Sequence, residues 1–453
     1  MTITRRGLIT GSLGTLAVGA LSACGGVGDS GNDASKGGAG KGDTGALSTQ
    51  GFGKPDDVGQ ARIDAFKSAY PNVQVNLNEG DFDPQQFLSA VASGNPPDLV
   101  YLDRGLVGSY ASRGAIQPLD DLLGGAGIKT GDYREAAIKE VTLDGKVYGV
   151  PEFYNTRNIL VNGKAIEEAG LTLADVSTTD WNRLHTVTRQ LYRAAGGRTT
   201  RIGFDPKLPE FLPLWAKANG ADLVNPDGSP NLEDPKIIEA LTYALSLIDE
   251  QGGWSKFKAF RDTWDLFGAG NQFVKNQAAA FPWEGWYVNV LVQSSPKIDL
   301  RSTPFTDRQG KPITFQNGSA WCLPKDAKNP AAAVNWMKVM TSTDTWLKAG
   351  AARQATVEQN KSIFTGLWTA NTAADEQVKA KYVKPGPTGF DKAVENYYAA
   401  SDYAFGVNAS KAGSEIKVAW QEAVNRALSG QQKPDAALRQ AQSEASKAFS
   451  AAK

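Results

Sequence analysis

The chain is poor in the residues from which most catalytic machinery is built. Of its 453 residues one is histidine, two are cysteine, and 48 lysines and arginines balance 48 aspartates and glutamates. The single histidine, His185, lies in WNRLHTVTRQL, where Leu184 and Val187 supply helical apolar spacing, so it reads as a structural residue. A Ser/His/Asp triad would have to use it, and zinc sites built from several histidines are excluded. Zero formal charge gives no strong field to steer the chain toward nucleic acid. With Cys24 placed at the end of an export signal, Cys322 is left without a partner for an internal disulfide. Neither a metal nor a cofactor is expected.

What is present begins with MTITRRGLITGSLGTLAVGALSAC. The pair Arg5 and Arg6, followed by a small and apolar run too short and glycine-rich to span a bilayer comfortably, has the layout of an export signal over residues 1–23. TRRGLIT resembles a twin-arginine signal. LSAC, Leu21 to Cys24, resembles the lipobox of bacterial lipoproteins, which implies lipidation of Cys24 and an extracytoplasmic chain anchored to the cell membrane. Residues 24–45 offer almost nothing to bury and are expected to form a disordered tether with a reach of about 25 Å.

Past the tether about 400 residues remain, more than one core accommodates, so two lobes are expected. DDVGQARIDAFKSAY places Val58, Ile63, Phe66 and Tyr70 on one helical face with Asp56 or Asp57 as cap, NVQVNL alternates as a strand, and PPDLVYL reads as a buried one. RGLVGSYASRG reads as a helix closed by Gly114. This βαβα order predicts an α/β lobe with a largely parallel sheet. Further on, NILVN reads as a strand, DWNRLHTVTRQLYRAA as one long helix capped by Asp180, and QAAAF as a short strand ended by Pro282. Trp283 and Trp286 then fall beyond that strand, where open α/β sheets hold their ligands.

Four separated stretches, Ser93 to Leu123, Asp144 to Leu171, Phe273 to Trp286 and Asn317 to Trp346, resemble the extracellular solute-binding proteins of bacterial ABC importers, in the maltodextrin-binding-protein-like branch that carries sugars and oligosaccharides. Asn276 stands where glycine is usual in that family and Ala280 where methionine is usual. The resemblance implies a two-lobed fold with the ligand in the cleft and a membrane permease as partner. By position, 46–153 and 312–345 would form the first lobe, and 154–311 and 346–453 the second with a helical tail. A monomer is expected.

A sugar needs flat rings for its C–H faces and fixed donors and acceptors for its hydroxyls. Trp286 occupies the position resembling the family's stacking tryptophan, with Trp283 as a second platform; the alternative for each is packing between lobe elements. Tyr154 and Asn155 lie in the first crossing, where the family places a polar sugar contact, or else they serve a turn. Asp103 follows a strand end and accepts from hydroxyls, unless it pairs with neighbouring Arg104. Phe52, in the GFGK turn, is a further platform, and Glu210 and Glu284 are candidate polar contacts. Trp215 and Trp336 sit at helical apolar spacing and read as core. Two other readings stay open: a receptor for a peptide or polyamine, and a glycoside hydrolase using a carboxylate pair such as Asp103 and Glu284.

Overall fold

The structure, a computed structural model, describes residues 42–452. The export signal, Cys24 and most of the expected tether lie outside the described residues. The first strand begins at Thr44, two residues inside the segment assigned to the tether, because Thr44–Gln50 pairs in parallel with Asn72–Leu77 from its first residue.

Local signals set the first elements. Asp56 caps the Asp57–Ala69 helix by accepting from the Gly59 amide, and that helix buries Val58, Ile63 and Phe66. Asp83 caps Pro84–Ala92 in the same way. The first sheet runs in the order Asn72–Leu77, Thr44–Gln50, Leu99–Asp103, Ser319–Cys322, Gly149–Pro151. Its core joins Phe66, Leu102, Trp321 and Trp336. The second sheet runs Leu300–Thr303, Arg157–Asn162, Ala278–Glu284, Arg198–Phe204, Arg193–Ala195, over a core that includes Leu160, Phe204, Trp215 and Leu291. Trp215 and Trp336 are fully buried, as their spacing predicts.

Both lobes are α/β, but the sheets are mixed rather than largely parallel. Ser319–Cys322 returns from the other lobe and enters the first sheet antiparallel to Leu99–Asp103. In the second sheet only Ala278–Glu284 and Arg198–Phe204 run parallel. Two element boundaries also differ from expectation. The long helix stops at Leu191, and Arg193–Ala195 turns through Gly196 and Gly197, both at positive φ, to pair with Arg198–Phe204. The strand expected to end at Pro282 continues to Glu284. The Ala280 carbonyl accepts from the Asp205 amide, so Pro282, two residues on, turns its nitrogen to the same side, beyond the last paired residue, Phe204. No donor is missed there.

The lobe boundaries shift as well. Pro312–Phe315 pairs with Phe305–Thr306 and Ala404–Phe405, so it belongs to the second lobe and the crossing falls at residues 316–318. Residues 346–359, expected with the second lobe, pack instead on the Asp57–Ala69 helix, where Trp346 and Ala349 join Val58 in one apolar cluster, and Thr372–Tyr382, also expected with the second lobe, packs on them in turn with Val378 and Tyr382. Arg353 secures them by pairing with Asp56 and Asp57. The chain crosses again between Tyr382 and Gly389. Among the described residues no helix is long and apolar enough to cross a membrane.

Leu160 is fully buried at the centre of the second sheet. Leu160→Ala should cost about 2–5 kcal/mol in a chemical-denaturation experiment; a loss under about 0.5 kcal/mol, as for a surface position, would refute this placement.

Candidate functional site

The site is built where the chain crosses between lobes. Residues 153–156 and 316–318 run side by side, with Asn155 and Asn317 exchanging backbone hydrogen bonds at 2.9 and 3.1 Å. The approach is close enough that a Cβ on Gly318 would stand 2.1 Å from the Phe153 carbonyl oxygen. Two buried arginines bind these crossings. Arg104 donates to Glu140 at 2.8 Å, to the Phe153 carbonyl at 2.5 Å and to the Gln316 side chain. Arg157 donates to the Asn155 and Phe315 carbonyls at 3.2 and 2.9 Å and pairs with Glu284. Burial raises the Glu140 pKa despite Arg104, and burial lowers that of Arg157 despite Glu284.

Against these crossings lies a cavity of about 310 Å³. Asp103 and Glu140 face it from the first lobe, Asn317 from a crossing, and Arg157, Glu210, Phe211, Trp283 and Glu284 from the second lobe. The far wall is the Gly413–Leu428 helix, which supplies Ile416, Lys417 and Trp420. This helix also meets the first lobe. Ser414 donates its amide to Ser109 Oγ at 2.8 Å, Arg113 pairs with Glu415, and Gly108 approaches the Ser410 backbone so closely that a Cβ would lie 2.4 Å from its oxygen.

Four of the eight residues expected to contact ligand line this cavity. Asp103 Oδ2 is 2.9 Å from Lys417 Nζ across the cleft, and Asp103 Oδ1 caps the next helix through the Gly105 amide. The proposed Asp103–Arg104 pairing is replaced, because Arg104 turns inward to Glu140. Both members of the Asp103–Lys417 pair are about two-fifths exposed (38% and 40%), and such pairs are worth about 0–1 kcal/mol, weak enough to be exchanged for ligand contacts. Glu210 is exposed at the cavity wall. Glu284 gives one oxygen to Arg157 and the other to the Trp286 indole N–H. Trp283 is half-buried, with the ammonium of Lys207 4.3 Å from its ring centroid and Lys207 itself paired to buried Asp205. A desolvated cation over an indole is worth about 2 kcal/mol, enough to hold the ring in place.

The other four lie elsewhere. Phe52 packs edge-on against Tyr101 and beside Trp321, with Arg62 over its ring. Tyr154 is buried on the opposite side of the crossing, where burial pushes its phenol pKa up and Arg134 lies over its ring. Asn155 contributes its backbone to the paired crossings. Trp286 opens the Trp286–Ser294 helix, outside the cavity wall, and stacks on Phe267.

Sequence reasoning missed Arg157, Asn317, Lys417 and Trp420. Trp283 Nε1 and Asn317 Oδ1 are buried without a hydrogen-bond partner and closed to the cavity, so what Trp283 presents to the cavity is its half-buried ring. Among the described residues no group of three or more His, Cys, Asp or Glu is placed to hold a metal ion.

Two α/β lobes joined by side-by-side crossings, enclosing a cavity of paired charges and an indole ring, define a two-lobed solute-binding protein. The chain belongs to the bacterial extracellular solute-binding protein family, whose profile matches residues 61–356. The diacetylchitobiose binding protein DasA of Streptomyces coelicolor is 26% identical over 380 residues, 80% of this chain and 83% of the relative. A maltooligosaccharide ABC transporter solute-binding lipoprotein of Streptococcus pneumoniae is 24% identical over 269 residues, 56% of this chain and 57% of the relative. Among solved structures, CpMnBP1 with mannobiose bound superposes with a TM-score of 0.71 at 25% identity, covering 88% of this chain and 99% of that one.

The hinge chemistry makes its own prediction. Arg104→Met strands the Glu140 carboxyl in the interior and should cost about 3–5 kcal/mol in denaturant unfolding. Adding Glu140→Gln should recover a large part of that loss; no recovery would mean that Arg104 acts through its other contacts.

Proposed function

We propose that the chain captures a sugar or oligosaccharide outside the cytoplasm and delivers it to the membrane permease of an ABC importer. The observation that carries this reading is an indole ring, Trp283, set among polar side chains in the cavity wall. The half-buried Trp283 ring offers a face to apolar C–H groups. Asp103, Glu210 and Glu284 surround it with acceptors suited to a hydroxyl rim. The sugars named for the diacetylchitobiose and maltooligosaccharide relatives and for the mannobiose complex support the class of ligand without choosing among its members.

Binding without bond cleavage is part of the proposal. Glu284 has both oxygens engaged, by Arg157 and Trp286, and Asp103 has both engaged, by Gly105 and Lys417. A hydrolase needs one carboxylate free to attack or activate water and another free to protonate. Of the carboxylates around the cavity, Asp103, Glu140 and Glu284 each pair with a cation, leaving Glu210 alone unpaired among the described residues, which is too little negative charge for a site built for a polycation.

Export, in our reading, follows the signal at residues 1–23 by the twin-arginine route, with Cys24 lipidated and the protein retained at the membrane as a monomer. Cys24→Ala should move the protein from the membrane fraction to the medium or soluble fraction. Unchanged membrane association would overturn the anchor.

The ligand proposal is tested by thermal shift against mono- and oligosaccharides of the manno-, malto- and chito-series. A ligand at about a thousand times its dissociation constant stabilises by roughly 4 kcal/mol, which moves the midpoint by several degrees. Trp283→Ala should abolish that shift while the unliganded protein keeps its cooperative transition. Full retention of the shift in the variant would remove Trp283 from the site, and silence across all three series from folded protein would move the proposal to another polar solute.

A further inference from the structure

Outside the cavity wall a second aromatic surface stands in solvent. Phe267 is 64% exposed, the most exposed large apolar side chain among the described residues. Its ring lies nearly parallel to that of Trp286, with planes 12° apart and centroids 6.3 Å apart. Trp286 in turn is fixed to the cavity: its indole N–H donates to Glu284, and its ring centroid is 6.4 Å from that of Trp283. Phe267, Trp286 and Trp283 therefore form a continuous aromatic path from solvent to the cavity wall.

The loop that presents Phe267 is anchored rather than slack. The Leu266 carbonyl accepts from the Tyr287 hydroxyl at 2.8 Å, and that hydroxyl accepts from Gln272 at 2.8 Å. On the other side, the Gly268 amide donates to Asp265 at 2.9 Å. Leu266 packs against the second-lobe core while its neighbour Phe267 faces out. A ring presented by an anchored backbone contributes little to the core, and ordering it under a stacked partner costs only its side-chain freedom.

We propose that Phe267, backed by Trp286, is an outer saccharide subsite that stacks on a sugar ring extending beyond the cavity and so favours oligosaccharides over their shortest members. The proposal rests on the sugar-binding reading above. The cavity, at about 310 Å³, is at the small end of ligand sites. A chain that fills it has to leave past its wall, and the path of rings is continuous with that wall.

The test is titration calorimetry with mono- to tetrasaccharides of the manno-, malto- and chito-series, on wild type, Phe267→Ala, Phe267→Tyr and Trp283→Ala. Phe267→Ala should leave the dissociation constant of the shortest binding member within about twofold and weaken longer members by roughly 5- to 30-fold, the range set by about 1–2 kcal/mol. Phe267→Tyr, which keeps the ring, should restore the preference for length, and Trp283→Ala should weaken all lengths together. An equal effect of Phe267→Ala on every length, or none on any, overturns the outer subsite and leaves the sugar reading intact. Absence of binding by any series to wild type overturns the sugar reading, and the subsite with it.

Discussion

A guanidinium withdrawn from water must find partners for its donors, and this fold places two of them at the passages between its lobes. Arg104 comes from the first lobe and Arg157 from the second, and both direct hydrogen bonds to carbonyls of the crossing segments. Each also has one carboxylate, Glu140 or Glu284, to balance its charge. Losing either partner would leave an ion in a low-dielectric interior at a cost of several kcal/mol. The crossings are therefore fixed at their centre, and relative movement of the lobes has to occur around them. Weaker contacts between the lobes lie further out, where Asp103 meets Lys417 and Arg113 meets Glu415 in partial exposure, and where each pair is individually cheap to break.

The same division explains why the cavity is suited to holding a neutral polar molecule. All of its strong charges but that of Glu210 are paired, so the wall offers geometry and hydrogen bonding more than field. The Trp283 indole in that wall is immobilised by Lys207. A rigid ring loses little on binding, which is where affinity for a weakly interacting sugar face is gained.

Much of this was legible in the sequence, and the exceptions share a physical origin. Local signals held: the Asp56 cap, the alternation of NVQVNL and the core tryptophans Trp215 and Trp336 all lie as their spacing implies. What local pattern did not carry was which neighbour an apolar face would choose. The face of Trp346 and Ala349 looks the same whichever lobe it covers, and only the groove beside Val58 decides. Pro282 ends a strand only if a neighbouring strand needs its amide, and the pairing with Arg198–Phe204 stops before it. Of the tryptophans three residues apart, one closes a strand and lines the cavity while the other opens a helix and turns outward. Lys417 and Trp420 lie more than a hundred residues beyond Trp283 and Glu284, and no spacing connects them.

The central claim is that one sugar ring lies on Trp283 in the cavity, with its hydroxyls bound by the polar groups around that ring. A crystal structure of the protein with its tightest-binding saccharide tests it most directly. The account predicts a ring stacked on the Trp283 indole, with hydroxyls within hydrogen-bonding distance of Asp103 or Glu210. A saccharide bound away from Trp283 would contradict it.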